Sequence, residues 1–284
     1  MKTMNTISPV VDELVRVALA EDIGSGDKTT SLLVDPECRG HARVIAKEML
    51  VIAGFLPFMK VFQILSSKIE FVFFEKEGSV VREGDTVAEL KGPYSVLLTG
   101  ERTALNFLQR LCGIATNTYH YVEKIKLFGT VLFDTRKTTP GWRALEKEAV
   151  RLGGGTNHRM GLFDAVLIKD NHIAACGGIR PAVKRVKEVK SPRLTIEVEV
   201  KNMEEFREAL DAGPDMIMLD NMSIEEIKQA VKTAGGKVPL EASGNITLES
   251  IEKVAATGVN YISAGAVTHS SRAVDMSMII EPEN

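Results

Sequence analysis

The chain has 284 residues, enough for one large domain or two modest ones around a sizeable core. Hydrophobic residues make up 44% and charged residues 26%, the balance of a globular protein rather than a disordered or membrane-embedded one. A net charge of −3 argues against a nucleic-acid protein, which needs a basic face. Cys38, Cys112 and Cys176 are odd in number and far apart. They fit neither a disulfide framework nor a metal cluster, and point to a reducing, cytoplasmic compartment. The opening MKTMNTISPVVDEL turns acidic before any apolar run, unlike a secretory signal. The most apolar window, residues 49–59, is too short and too rich in Gly and Pro for the roughly 20 residues of a membrane span.

In chain order, residues 8–20 read as an amphipathic helix, with Ser8 as cap, Pro9 opening it and Val11, Leu14, Val15 and Ala18 on one face. EDIGSGDKTT (21–30) reads as a polar turn. Its glycines are not a phosphate cradle, because no strand precedes them and no Lys-Ser/Thr helix start follows at the required spacing. From 39 to 98 the pattern is period-two and strand-like, the mark of an open sheet domain. Within it EGSVVREGDTVAELKG resembles the half-barrels of biotinyl and lipoyl carriers, but no modifiable lysine stands at a hairpin tip. Residues 100–119 read as a helix with Leu105, Leu108, Leu111 and Cys112 as its buried stripe. Arg102 sits in its first turn, the wrong end for a cation, which leans toward a ligand role although spacing alone makes it a solvated residue.

After 130 the rhythm becomes strand–helix alternation. Strands are expected at 130–135, 165–169, 194–200, 216–220, 239–243 and 261–265, and helices at 180–189, 203–212, 223–234 and 247–257. A further helix follows the first strand: Thr138 and Thr139 can cap it, Pro140 suits its first position, Trp142, Leu145 and Ala149 recur at helical spacing, and Gly153, Gly154 and Gly155 end it. Repeated βα units imply a parallel sheet, either barrel or doubly wound, and a domain boundary near 110–125.

The stretch from Asp134 to His172 holds seven Lys and Arg against five acids, a cationic patch in an acidic chain. In a βα barrel the site lies at the carboxyl ends of the strands. Those ends carry Arg136 and Lys137, then Lys169, Asp170 and Asn171, then Glu199, then Asp220 and Asn221, then Ser243 and Gly244, then Gly265. Cations come first, carboxylates next, and small residues beside helix starts last. That sequence suits a phosphate-sugar ligand with further acidic groups. Each strand-end charge taken singly is more often solvated or salt-bridged. Glu197 and Glu199 share a face, so one of them can be a structural partner of a barrel lysine, and His158 and His172 can be hydrogen-bonded core residues. His158–Arg159 after a triple glycine is harder to dismiss, since such a loop allows close approach to a ligand. No HExxH, CxxC or GxSxG motif is present.

DTRKTTPG, GGGTNHRMGL, LIKDNH, IEVEV, MLDN, EASGNI and SAGAVTHS occur in that order, together with EDIGSGDKTT and ERTALNFLQRLCGIAT. In these motifs the chain closely resembles the quinolinate phosphoribosyltransferases over nearly its whole length. The resemblance implies an α/β fold: an N-terminal α/β sandwich domain in residues 1–112, to which 271–284 return, and an incomplete, seven-stranded α/β barrel in residues 113–270. It implies transfer of phosphoribose from phosphoribosyl pyrophosphate to quinolinate, giving nicotinate mononucleotide, pyrophosphate and CO2, with Mg2+, in a homodimer that can itself be a unit of a hexamer of dimers.

By motif, the resemblance places the quinolinate carboxylates against Arg136, His158, Arg159 and Lys169, with Arg102 reaching in from the neighbouring subunit. Lys137 lies between substrate and phosphoribosyl groups, and Thr135 is a further substrate-binding residue. Glu199 and Asp220 hold ribose hydroxyls and Mg2+. Ser243, Gly244, Asn245, Gly265 and His269 take the phosphate, and Ala264 and Ala266 beside them are further substrate-binding residues. The catalytic set implied is Lys137, Lys169, Glu199 and Asp220, with Lys137 or Lys169 assisting decarboxylation. ACGGIRPAV after LIKDNHI departs from the family pattern and bears on a loop shape or on oligomer packing. Two other readings remain: a relative with a different acceptor, such as the molybdenum-operon proteins, and a non-catalytic carrier built on residues 77–92.

Overall fold

The computed structural model describes residues 4–189 and 194–283. By its internal contacts the chain divides into two units, one of Met1–Asn117, Pro140–Gly154 and Ser271–Asn284, the other of Thr118–Thr139 and Gly155–Ser270.

The first unit begins with α1 (Met4–Ile23), which buries Val11, Val15 and Leu19. The helix starts ahead of Ser8, so Pro9 lies inside it instead of opening it. Next comes α2 (Lys28–Leu33), capped by the Asp27 carboxylate, which accepts the Thr30 N–H. The polar stretch 21–30 is therefore a capping turn that runs into a short helix. β1 (Arg39–Ala46) alternates inward and outward as its sequence does. β2 (Leu50–Val51) is short, and α3 (Phe55–Leu65) follows where the period-two reading expected only strands. The helix forms because Phe55, Phe58, Val61 and Phe62 fall on one buried stripe at helical spacing. Phe55, Phe62, Phe71 and Phe73 then pack as an aromatic cluster between helix and sheet.

β3 (Glu70–Phe73), β4 (Val80–Val81) and β5 (Thr86–Pro93) complete this run, and α4 (Tyr94–Ile125) is a 32-residue helix that takes in residues 94–98, read as strand-like, together with the expected helix over 100–119. β4 pairs with β2 whereas β5 pairs with β1 and β3. The two halves of EGSVVREGDTVAELKG thus join different sheets and form no carrier-like hairpin.

The second unit supplies β6 (Val131–Phe133). The chain then passes through α5 (Arg143–Leu152), which belongs to the first unit, where Trp142 stacks on Phe107. Residues 140–142 are a turn, so Pro140 precedes α5 by three residues and Trp142 stands at its N-cap position with no side-chain cap bond. There follow β7 (Val166–Ile168), α6 (Asp170–Cys176), α7 (Ile179–Val189), β8 (Ile196–Val200), α8 (Met203–Ala212), β9 (Met216–Asp220) and α9 (Ile224–Ala234). β10 (Leu240–Ser243), α10 (Ile251–Ala255), β11 (Tyr261–Ser263) and α11 (Ala266–His269) finish the unit. α8 and α9 start on the caps their sequences advertise, Asn202 and Ser223, and end on left-handed Gly213 and Gly235.

These strands form a parallel sheet in the order β6-β11-β10-β9-β8-β7. Thr156 adds a single parallel bridge to Phe133 on the outer side of β6. The described residues thus give the incomplete barrel six strands where seven were expected, because Thr156 makes only this isolated bridge beside β6 and extends into no strand. Last, β12 (Met276–Pro282) returns to the first unit and pairs antiparallel with β1, giving the order β12-β1-β5-β3. Among the described residues no helix is long and apolar enough to cross a membrane.

Candidate active site

Parallel pairing fixes which side chains share a level. Glu199 pairs with Met218, Met218 with Glu241 and Glu241 with Tyr261; one step further, Asp220 pairs with Ser243 and Phe133 with Ser263. Alternate residues of a strand point to one face. Leu167, Glu199, Met218, Asp220, Glu241, Ser243 and Ser263 accordingly line one cavity at the carboxyl ends of the strands. Its volume is about 530 Å³, which suits a small molecule.

Arg136, Lys137, Arg159 and Lys169 line the same cavity. The Arg159 guanidinium donates to the Ala165 carbonyl at 3.2 Å. Burial, and next the repulsion of Arg136, lower its pKa from the ordinary arginine value. Arg159 stays charged regardless, so the two guanidiniums bring like charge together at the cavity.

Below them the chain is tied down at His158. Its main-chain N–H donates to the buried Asp134 carboxylate at 2.8 Å. Nδ1 accepts the Arg159 N–H at 2.7 Å, and Nε2 lies 2.9 Å from Glu197 and 3.4 Å from Glu241. Both carboxylates are buried, on β8 and β10. Strands separated by β9 meet at one ring only because the sheet curls, and the curl is what turns a row of strand ends into a pocket. Burial opposes a charge on the imidazole, but the two carboxylates outweigh it and raise the His158 pKa to about 10. Glu197 is raised to about 7, first by burial, with Glu241 adding to the rise and His158 opposing it. A second ring proton must also displace the Arg159 N–H, which limits how far the rise extends.

On the other side Lys169 Nζ donates to Glu199 at 2.6 Å. Glu199 is thus the lysine partner and Glu197 the histidine partner. Beyond Glu199 stand Asp220 and a tight turn. Asn221 and Asn245 both adopt left-handed backbone, at φ 54° and 50°, and the Asn245 side chain donates to that of Asn221 at 3.0 Å. Such conformations concentrate where function demands them. Gly244, at φ 99°, passes so close that a Cβ there would lie 2.3 Å from Asn221 Oδ1 and 2.9 Å from its main-chain nitrogen. At Gly265 a Cβ would press on Lys137 and His269, 2.9 and 3.0 Å away. Thr268 Oγ1 donates to the Lys137 carbonyl at 2.8 Å, fixing the cationic loop against the last strand end.

Of the residues expected from sequence, Thr135, Arg136, Lys137, His158, Arg159, Lys169, Glu199, Asp220, Ser243, Gly244 and Asn245 surround this one cavity. Gly265 adjoins both Lys137 and His269, and Ala264 and Ala266 flank it; Ala264, Gly265, Ala266 and His269 lie outside the cavity lining. Arg102 lies in the first unit with its side chain 63% exposed, near Glu101, and is not among the lining residues. His172 is exposed and caps the Lys169 N–H through Nδ1. Sequence reasoning passed over Leu167, Met218, Glu241 and Ser263. Counting back two residues from Lys169, Asp220, Ser243 and Gly265 finds each, because same-face parity repeats every second residue.

Fold and cavity define a class: an α/β barrel whose strand ends set cations against carboxylates around a small anionic ligand. Residues 27–112 match the N-terminal domain of quinolinate phosphoribosyl transferase, and residues 114–279 its C-terminal domain. The probable nicotinate-nucleotide pyrophosphorylase (carboxylating) of Bacillus subtilis is 44% identical over 265 residues, 93% of this chain and 91% of that protein. The corresponding Synechocystis protein is 46% identical over 274 residues, 95% and 92% of the two chains. Among solved structures, the nicotinate-nucleotide pyrophosphorylase of Francisella tularensis superposes with a TM-score of 0.92 at 43% identity, over 96% of this chain and 97% of that one. NadC from Streptococcus pyogenes gives 0.93 at 41% identity with the same coverage. The chain belongs to the quinolinate phosphoribosyltransferase family.

Proposed function

We propose that this protein joins quinolinate and phosphoribosyl pyrophosphate to form nicotinate mononucleotide, with loss of pyrophosphate and CO2, a step of NAD biosynthesis. The observation that carries this is the crowding of Arg136, Lys137, Arg159 and Lys169 around one small cavity. A pyridine dicarboxylate carries two negative charges and needs several fixed cations, two of them here guanidiniums, whose planar fork can take a carboxylate through two hydrogen bonds. The ring nitrogen attacks the ribose carbon as its bond to pyrophosphate breaks. Positive charge that gathers on the sugar is stabilised by Glu199 and Asp220. The ring carboxylate between nitrogen and carbon then leaves as CO2, its bonding electrons remain on the ring carbon beside the positive nitrogen, and that carbon takes a proton. Lys137 or Lys169 supplies the adjacent positive charge.

Ser243, Gly244 and Asn245 line the cavity beside the left-handed turn and, with Gly265 and His269, are assigned the phosphate, Ala264 and Ala266 flanking Gly265. Glu199 and Asp220 are hard oxygen donors on one wall, a donor set that fits Mg2+ held jointly with substrate phosphates. Mg2+ there would neutralise the leaving pyrophosphate. Arg102, exposed on the first unit, suits a second copy of the chain whose site it would complete, in a cytoplasmic homodimer or an assembly of such dimers. The test is product analysis after incubation with phosphoribosyl pyrophosphate, Mg2+ and either quinolinate or nicotinate. Nicotinate mononucleotide from quinolinate only, with equimolar CO2, is the expected result. Turnover of neither acceptor by folded protein would overturn the proposal and favour a different acceptor.

A further inference from the structure

Two buried acids under a pocket for a dianion are a physical puzzle, because they repel the ligand the rim attracts. Glu197 is 3% exposed and Glu241 0%, and Glu197 Oε1 and both Glu241 oxygens make no hydrogen bond among the described residues. Packing alone would be served better by apolar side chains. What the acids do hold is His158, whose Nδ1 and main-chain N–H are also taken, the first by the Arg159 N–H and the second by Asp134. Phe133 closes one side of the ring edge-on at 5.6 Å.

From this geometry we propose that Glu197 and Glu241 are positioning residues for the acceptor: they clamp His158, and through His158 Nδ1 they fix the main chain of Arg159. The clamp rests on the function proposed above. Arg159 then enters the pocket held at two points, its N–H by His158 and its guanidinium by the Ala165 carbonyl. A guanidinium fixed in this way meets a carboxylate without first losing its own freedom. Glu197 lies outside the cavity lining and Glu241, a lining residue, faces His158, whereas on the other wall Lys169 holds Glu199 and Asn245 holds Asn221. The clamp therefore acts on the acceptor and leaves the phosphoribosyl donor alone.

The experiment uses full-length protein and the isosteric variants Glu197→Gln and Glu241→Gln, each checked by thermal unfolding. Steady-state kinetics give KM for quinolinate and for phosphoribosyl pyrophosphate separately. In parallel, the imidazole 15N signals of the histidines are recorded without substrate, those of His158 being assigned by their loss in His158→Asn. The expected result is a quinolinate KM about tenfold higher or more, a donor KM changed less than about twofold, and His158 signals displaced in both variants. Equal rises in both KM values, or unchanged His158 signals, would overturn the clamp. A wild type that does not use quinolinate would refute the proposed function instead, and the imidazole spectra would still decide whether the acids hold the ring.

Discussion

Gly244→Ala puts a methyl group where the backbone has left no room for one, and the structure separates its two effects. The first is conformational: at φ 99° an L-residue is strained, typically by about 1–2 kcal/mol. The second is steric, since the added Cβ would stand 2.3 Å from Asn221 Oδ1 and 2.9 Å from Asn221 N. The amide side chain can swing away, at the expense of its bond from Asn245, but the main-chain nitrogen is itself bonded to the Ser243 carbonyl. That second part adds about 1–3 kcal/mol, as overpacking does. Gly236 isolates the first effect, because it has φ 78° and open space around the same added atom. Each kcal/mol lowers Tm by about 2–4 °C in a protein of this size. Calorimetry should therefore find a small drop for Gly236→Ala and a larger one for Gly244→Ala. Only the latter should raise KM for the phosphorylated substrate. Equal Tm drops, or an unchanged donor KM in Gly244→Ala, would refute the idea that this turn is built around the contact with Asn221.

Arg159→Lys keeps the charge but loses the planar fork, so KM for quinolinate should rise about 10–100-fold in steady-state assays with little change for the donor. The Asp27 carboxylate is held below its ordinary value of 3.8, chiefly by the Thr30 hydroxyl and then the Thr30 N–H. A lowered carboxylate stabilises the fold above its unfolded pKa and loses that contribution as pH falls through the folded one. The Tm gap between wild type and Asp27→Asn should therefore be widest near neutrality and close below about pH 4. The Cys112 thiol is fully buried, which pushes its pKa up to about 12, and it bonds to the main chain of Ala53. A thiol reagent should modify at most Cys38 and Cys176 in the native protein and reach Cys112 only on unfolding.

Much of the barrel was legible as sequence. Every expected strand after residue 130 formed within a few positions, and α8 and α9 begin on Asn202 and Ser223 because a side-chain acceptor ahead of an amphipathic run is a local signal. The first unit was read less well. The run GFLPFMKVFQIL is so apolar that its period is hard to see, and it became a helix because one stripe met the sheet while the aromatic rings stacked behind it. β4 and β5 lie in one segment with a carrier-like pattern but serve different sheets, a choice made by their distant partners β2 and β1. Pro140 resembled a helix start, yet the chain spends 140–142 in a turn that brings Trp142 onto Phe107.

The site divides along the same line. Arg136, Lys137, Lys169, Glu199, Asp220 and Ser243 follow from the strand ends, since in parallel βα units every strand finishes on the same rim. The sequence by itself therefore determined the class of fold, the cationic and acidic members of the rim and the residue types facing the ligand, all of them consequences of local period and strand direction. Only the tertiary structure decided their partners: that Glu199 takes Lys169 while Glu197 and Glu241 take His158, and that Gly244 passes against Asn221. Those pairings depend on how far the sheet curls and on its register between strands some 20 to 80 residues apart, and no short stretch of chain encodes a distance across a barrel.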